Sequence, residues 1–294
     1  MTLNKSSKFA FCITKFFSYC VKSVSRVIVV ALPLPLLLKL VSFFRPSFLA
    51  RLISSIQAIK IYDISILGVH FLVESGPRDD HYLDLEKNQI ADWEDESLAV
   101  WIELCKHADF AIDVGAYLGI YSIVAAKVDC PRVLAIEPNP KTYEQLKKNV
   151  TLNLLDSEIS TLQVAVGDRE DLALLAFPYG RPLSSGAKVF NVVQDDVSYD
   201  WDIQTKIQIV TLDSLIWTIN GKVVVIKIDA EGFELQILKG ATQLLVTYSP
   251  QIIVEILSDQ QGVQVDQFLQ NFGYSKGVPI RDSTKSSNML YKVK

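Results

Sequence analysis

The chain has 294 residues, 49% of them hydrophobic, and a formal net charge of −4, which suffices for one α/β domain with an N-terminal extension. The small net charge conceals an asymmetry: residues 1–60 carry nine Lys or Arg and no acid, leaving 20 basic against 33 acidic residues, or −13, for the rest. An acidic body argues against nucleic acid and a basic head argues for an anionic surface, while Cys12, Cys20, Cys105 and Cys130 lack any Cys-x-x-Cys spacing and point to a reducing, cytoplasmic setting rather than a disulfide framework or zinc site.

In residues 1–58, Phe9, Cys12, Ile13, Phe16, Phe17, Cys20, Val21 and Val24 share one helical face, and Lys8, Lys15 and Lys22 line another with Arg26 close by. A basic amphipathic helix with aromatic anchors is the pattern of a segment lying in a membrane interface. From Val27 to Leu38 the chain is uncharged but holds Pro33 and Pro35, and even read on through Lys39 to Phe44 it reaches only 18 residues, against ~20 for a spanning helix. Peripheral contact with an anionic membrane surface is therefore expected. A bilayer span, or a helical element packing on the body or on a second subunit, is the alternative.

Ile59–Ile66, Gly68 and Val69–Val73 alternate like a β-hairpin. His81–Ala108 carries helical spacing, with Trp93, Leu98, Trp101, Ile102 and Cys105 on its apolar face. This segment is expected to flank the strand ends, from where Trp93 or Glu94 could reach a ligand. The cluster Asp92, Glu94, Asp95 and Glu96 reads more simply as a solvated helix turn.

Phe110–Val114 is an apolar run broken by Gly115 and Gly119, after which Ile120–Ala126 starts a helix. Strand, glycine turn and helix bring bare backbone and a helix N-terminus to a ligand, and a Cβ at either glycine would intrude on it. The Gly-x-x-x-Gly spacing differs from the dinucleotide Gly-x-Gly-x-x-Gly. A second strand, Arg132–Glu137, ends in a carboxylate suited to both hydroxyls of a ribose, so a nucleoside ligand is expected. Lys141–Leu154 is a helix with Tyr143, Leu146, Val150 and Leu154 inward. Thr161–Val166 is a third strand ending at Gly167-Asp168; an acid there suits the exocyclic amine of adenine, or is an ordinary turn.

Leu172–Phe177 reads as an edge strand, and Pro178–Gln204 as a long polar loop of the kind that is usually functional or mobile. Val223–Asp229 is a continuous apolar strand buried on both faces, with Lys227 and Asp229 at its end, then Glu231, Gly232, Glu234 and a helix to about Leu245. Gln251–Ile256 is another buried strand, holding Glu255. Val265–Phe272 is a helix, and Tyr274–Val293 should form a terminal antiparallel pair.

Five segments occur in order: Asp113-Val-Gly-Ala-Tyr-Leu-Gly-Ile-Tyr-Ser122, Ile136-Glu-Pro-Asn-Pro140, Thr211-Leu-Asp-Ser214, Ile226-Lys-Ile-Asp-Ala-Glu-Gly-Phe-Glu234 and Leu238-Lys-Gly-Ala241. Together they resemble the FkbM family of S-adenosylmethionine-dependent methyltransferases over about residues 90–260. The resemblance implies a class I methyltransferase (Rossmann-like) α/β fold, with a mostly parallel seven-stranded sheet and helices on both faces. It also implies O-methylation of a hydroxyl on a sugar, glycan or other small-molecule natural product. The organisation expected is an extension (1–58), a flanking hairpin and helix (59–108) and the S-adenosylmethionine-binding domain (109–294). Motifs and strand ends assign the cofactor to Asp113, Gly115, Ala116, Gly119, Tyr121, Ser122, Glu137, Asn139, Asp168 and Asp229. Two positions depart from the family pattern: Tyr117 stands where Asn is usual, and Ala230 replaces Val or Ile.

Methyl transfer to a hydroxyl needs alignment of the acceptor oxygen and removal of its proton. His70, His81 and His107 all precede the glycine motif, so Asp229, Glu231 and Glu234 are better placed. Asp229 is expected to hold the cofactor's amino end or the acceptor, and Glu231 to be the base; alternatively both satisfy backbone donors and Lys227 at a tight turn. A metal held by Asp229 and Glu255 is an alternative that no ligand spacing suggests. A nicotinamide-dependent oxidoreductase would lack its third glycine, and a non-catalytic membrane-bound scaffold would need a damaged cofactor site.

Overall fold

The computed structural model describes residues 60–75, 90–178, 188–191, 201–219, 221–280 and 287–294. The expected amphipathic, membrane-facing segment lies outside them, as do the start of the 81–108 segment and the side chains of Trp93 and Glu94. Among the described residues no helix is long and apolar enough to cross a membrane. The chain divides into two units, Met1–Gln57 and Ala58–Lys294, and the second carries the architecture below.

In chain order the elements are β1 (Lys60–Ile66), β2 (Val69–Ser75), α1 (Ile90–Cys105), β3 (Phe110–Val114), α2 (Ile120–Lys127), β4 (Val133–Ile136), α3 (Pro140–Leu152) and β5 (Ile159–Leu162). Then come β6 (Ala165–Val166), β7 (Asp171–Pro178), β8 (Lys188–Asn191), β9 (Trp201–Val210), a 3₁₀ turn (Asp213–Thr218), β10 (Val224–Ile228), α4 (Glu234–Lys239) and α5 (Thr242–Tyr248). The chain ends with β11 (Gln251–Ile256), α6 (Asp259–Gln270), β12 (Val278–Pro279) and β13 (Ser287–Tyr291).

The expected seven-stranded sheet is present, in the order β12–β13–β11–β10–β3–β4–β5. β5, β4, β3, β10 and β11 run parallel, and β13 runs antiparallel to both its neighbours. β3 and β10 are buried at every position, as strands covered on both faces must be. Their side chains alternate between two cores. One core joins Ala111, Ala135, Val225 and Ile253 to α1, α2, α3 and the hairpin through Trp101, Val124, Leu146 and Phe71. The other joins Ile112, Ile136, Ile226 and Val254 to α4, α5 and α6 through Ile237, Leu244 and Val265. This is the class I methyltransferase arrangement that the motifs implied.

The β1/β2 hairpin forms as its alternation predicts, and polar side chains of α3 tie it down. Asn153 exchanges two hydrogen bonds with the Leu72 backbone (2.9 and 2.7 Å). Asn149 accepts from Glu74 N–H (2.7 Å) and donates to Leu118 O (2.9 Å), linking the hairpin to the glycine turn.

Five expectations are corrected. The run Thr161–Val166 is not one strand: β5 ends at Leu162 and β6 pairs instead with β9, Gly167 N–H donating to Val210 O. Leu172–Phe177 is not an edge, because β7 lies between β9 and β8 in a second sheet ordered β6–β9–β7–β8. Within the expected loop, 188–191 and 201–204 are strand; the rest of 179–200 lies outside the described residues. Leu154 is 85% exposed rather than inward, since α3 stops at Leu152 and Leu154 turns out at φ 60°. The helix expected to run to Leu245 is two, separated at Gly240, where a Cβ would stand 2.0 Å from the Gly167 carbonyl oxygen. The terminal antiparallel pair and the helix before it form as expected, α6 beginning earlier at a Ser258 cap.

Candidate active site

The glycine turn between β3 and α2 packs against the end of β10. Gly115 (φ 79°) and Gly119 (φ 89°) both lie in the left-handed region. A Cβ on Gly115 would stand 1.7 Å from the Asp229 carbonyl oxygen, and one on Gly119 would meet the Leu146 side chain at 2.5 Å. The expected ligand approach is thus not what first requires these glycines: the close neighbour at each is the protein itself. Gly115 and Ala116 N–H both donate to Ile136 O (2.9 and 3.0 Å), fixing the turn to the end of β4.

Around this turn every named polar group has an assigned partner. Ser122 donates to Asp113 Oδ2 at 2.6 Å, and both are buried. Burial pushes the Asp113 carboxyl up, opposed by Lys227 and by the Ser122 hydrogen bond. Glu137, also buried, accepts at Oε1 from Asn139 N–H (2.9 Å) and Thr142 Oγ1 (2.7 Å), and at Oε2 from Tyr117 N–H (2.9 Å). A carboxylate oxygen takes about two hydrogen bonds, so Oε2 is the atom with room for a hydroxyl. Burial raises Glu137 as well, with the three donors pulling it back. Asn139 caps α3, its Oδ1 accepting from Lys141 N–H at 3.0 Å. Tyr117 occupies φ 51°, a conformation that Asn tolerates better than Tyr, which is the physical content of that departure.

Tyr121 connects the glycine turn to two other elements. Its carbonyl accepts from Trp101 Nε1 of α1 at 2.9 Å, and its ring lies 4.3 Å from the Lys227 ammonium. Lys227 is buried, sits opposite Asp113 in the β10–β3 register, and donates to Asp229 Oδ2 at 2.8 Å. Asp113, Lys227 and Glu255 thus fall on the same sheet face as the apolar Val225 and Ile253, at its carboxyl edge.

The turn after β10 is built by Glu234. Its Oε1 accepts from Ala230 N–H (3.0 Å) and Gly232 N–H (3.1 Å), and its Oε2 from Gln261 Nε2. Buried and raised by desolvation, Glu234 is the anchor of the turn rather than a reacting group. Glu231 is held at φ 51° with Gly232 at φ 104°, and it stays partly exposed. A non-glycine residue in that region persists only where its surroundings enforce it. Thr211–Ser214 and Leu238–Ala241 prove structural. Asp213 caps α5, accepting from Thr242 Oγ1 (3.1 Å), Gln243 N–H (3.0 Å) and Leu244 N–H (2.9 Å), and its own N–H donates to Gly240 O (2.9 Å).

The structure therefore brings Asp113, Gly115, Ala116, Gly119, Tyr121, Ser122, Glu137 and Asn139 together around one turn and sets Asp229 and Glu231 beside it. Asp168 stands apart, lining a small pocket with Gly167, Arg169, Leu172, Ile209 and Phe233, and paired with Arg169 at 3.5 Å. His107 is exposed beyond α1, pairing with Glu103, so it offers no base at the sheet edge. Sequence reasoning missed Thr142 and Asn149. Their helical spacing was the available signal, Thr142 falling four residues before and Asn149 three after the inward Leu146.

Residues 113–276 match the family described as Methyltransferase FkbM domain. A curated relative, the hexuronic acid methyltransferase AglP of Haloferax volcanii, is 26% identical over 209 residues, covering 69% of this chain and 76% of that protein. Among solved structures, Methyltransferase FkbM from Methylobacillus flagellatus KT is similar at 17% identity and a TM-score of 0.43, over 63% of this chain and 43% of that one. The chain thus spans less than half the length of that structure. Precorrin-6y C5,15-methyltransferase from Geobacter metallireducens GS-15 is similar at 14% identity and a TM-score of 0.43, over 70% and 91% of the two chains.

Proposed function

The chain belongs to the FkbM methyltransferase family, and from that premise we propose that it uses S-adenosylmethionine to methylate a hydroxyl of a sugar or glycan. The observation that carries this reading is the juxtaposition of the two motif turns, Gly115 against Asp229, with carboxylates on both sides. The donor set fits the cofactor. Glu137 Oε2 would accept from a ribose hydroxyl, the glycine turn offers bare backbone, and Asp229 suits an ammonium; Asp168, which stands apart, is not needed for that fit. When bound, S-adenosylmethionine supplies an electrophilic methyl group on a positively charged sulfur.

In this reading Asp113 and Ser122 fix the turn, Lys227 holds Asp229 ionised at the cofactor's amino end, and Glu231 takes the proton of the acceptor hydroxyl. The named relative acts on a hexuronic acid, which offers hydroxyls as well as a carboxylate. Asp229 and Glu231 beside Lys227 favour the neutral hydroxyl, because like charges repel in a partly buried site. The basic segment 1–58 would bring the enzyme to an anionic membrane surface.

The test incubates the full chain with methyl-labelled S-adenosylmethionine and uronic-acid-containing oligosaccharides. An alkali-stable methyl ether is expected. Label released by mild alkali would mean a carboxyl ester, and absence of transfer from S-adenosylmethionine to any acceptor would remove the reading.

A further inference from the structure

β11 carries a carboxylate that neither the motifs nor the proposed mechanism uses. Glu255 lies one position beyond the Val254–Ile228 pair of the β11–β10 register, beside Asp229 on the same sheet face. On its other side, in the antiparallel β13, its partner is Asn288. The Glu255 and Asp229 carboxyls thus meet at the carboxyl edge of the sheet, where Asp229 raises Glu255. Two carboxyls in that contact need one proton between them. Lys227 settles who keeps the charge, since it donates to Asp229 Oδ2 at 2.8 Å.

The remaining neighbours favour a protonated Glu255. Glu231, in the turn after β10, faces it with negative charge. The Asn288 amide is neutral; its Nδ2 donates to Ser97 Oγ of α1 at 2.9 Å, while its buried Oδ1 has no partner among the described residues. With an amide opposite Glu255 and no Lys or Arg in Ser287–Tyr291, β13 offers no cation to stabilise an ionised Glu255. Burial is the largest influence, Asp229 the next, and Lys227 opposes them; together they push Glu255 up to about 9.

We propose that Glu255 is a positioning residue: as a neutral acid it donates to Asp229, so that Glu255 and Lys227 grip that carboxylate from two sides and the pair carries one negative charge. Asp229, whose side chain is 31% exposed, is then held in one orientation toward the glycine turn. Ionising Glu255 sets two carboxylates against each other and releases the grip. The kinetic consequences rest on the methyltransferase reading; the protonation state does not.

The experiment has two arms on the full chain. In the first, the infrared difference between wild type and Glu255→Gln at pH 7 is expected to contain a protonated-carboxyl band that vanishes as pH rises through about 9. In the second, kcat is followed against pH for wild type, Glu255→Gln and Glu255→Leu, with circular dichroism to confirm folding. Wild-type turnover should fall on the alkaline side. Glu255→Gln, whose amide still donates but cannot titrate, should lose that alkaline limb and stay within ~10-fold of wild type, whereas Glu255→Leu should lose ~10–100-fold, the usual cost of deleting an outer partner of a working side chain. An absent infrared band, an unchanged alkaline limb in Glu255→Gln, or equal losses in folded Gln and Leu variants would each overturn the proposal. Failure of the wild type to bind S-adenosylmethionine while the band is present counts instead against the methyltransferase reading.

Discussion

The turn after β3 and the turn after β10 touch each other, Gly115 against the Asp229 carbonyl, yet they manage polar groups in opposite ways. At the first turn each acid has dedicated donors: Ser122 for Asp113, and Asn139, Thr142 and Tyr117 for Glu137. At the second, Asp229, Glu231 and Glu255 gather near Lys227, while Glu234 anchors the turn through three donors. A satisfied network rigidifies its surroundings, as a binding cradle requires. Crowded carboxylates keep charge and protons in contention, as proton-handling chemistry requires. From this contrast we propose that the first turn binds the cofactor's ribose and the second handles the acceptor's proton.

The most severe way to break the contrast is to separate the turns. Gly115→Ala inserts a Cβ 1.7 Å from the Asp229 carbonyl at a residue with φ 79°. Overpacking and left-handed strain together should cost ~3 kcal/mol or more, read as a lowered denaturation midpoint with loss of both cofactor binding and turnover. A normal midpoint would mean that the turns do not depend on their contact.

A finer cut stays within the second turn. Glu231→Gln should leave S-adenosylhomocysteine affinity intact and lower turnover by ~10²-fold or more, the range of a lost general base. If turnover instead survives in Glu231→Gln and disappears in Asp229→Asn, the base is Asp229. Loss of fold in both variants would mean that the carboxylates serve only the turn.

The sequence foretold the parallel strands well, because β3, β10 and β11 are short, mostly apolar runs, each holding a single charged residue, Asp113, Lys227 or Glu255. The hairpin followed from alternation about Gly68. The second sheet was not legible. Gln163 and Val164 break the chain between β5 and β6 without any glycine or proline, and β7 pairs on both sides through partners distant in sequence. At the site, motif positions were visible but their roles were not. Glu234 looked like a candidate acid until its three donors appeared, and Glu255 had no readable role beyond an unsupported metal pairing with Asp229, because its other neighbour, Asn288, comes from a strand distant in sequence. Leu154 shows the same limit: the helical period continued past the residue where α3 stops.

The central claim, that the first turn binds and the second acts, is tested most directly by calorimetric titration of S-adenosylhomocysteine into Glu137→Ala and Glu255→Gln in parallel with wild type. Glu137→Ala strands Tyr117 N–H, Asn139 N–H and the Thr142 hydroxyl as well as the ribose, and binding should weaken by ~1–3 kcal/mol. Glu255→Gln should bind within about half a kcal/mol of wild type, since a neutral donor replaces a neutral donor. A folded Glu137→Ala that binds as tightly as wild type, or a Glu255→Gln weakened as much as Glu137→Ala, would contradict the division of labour.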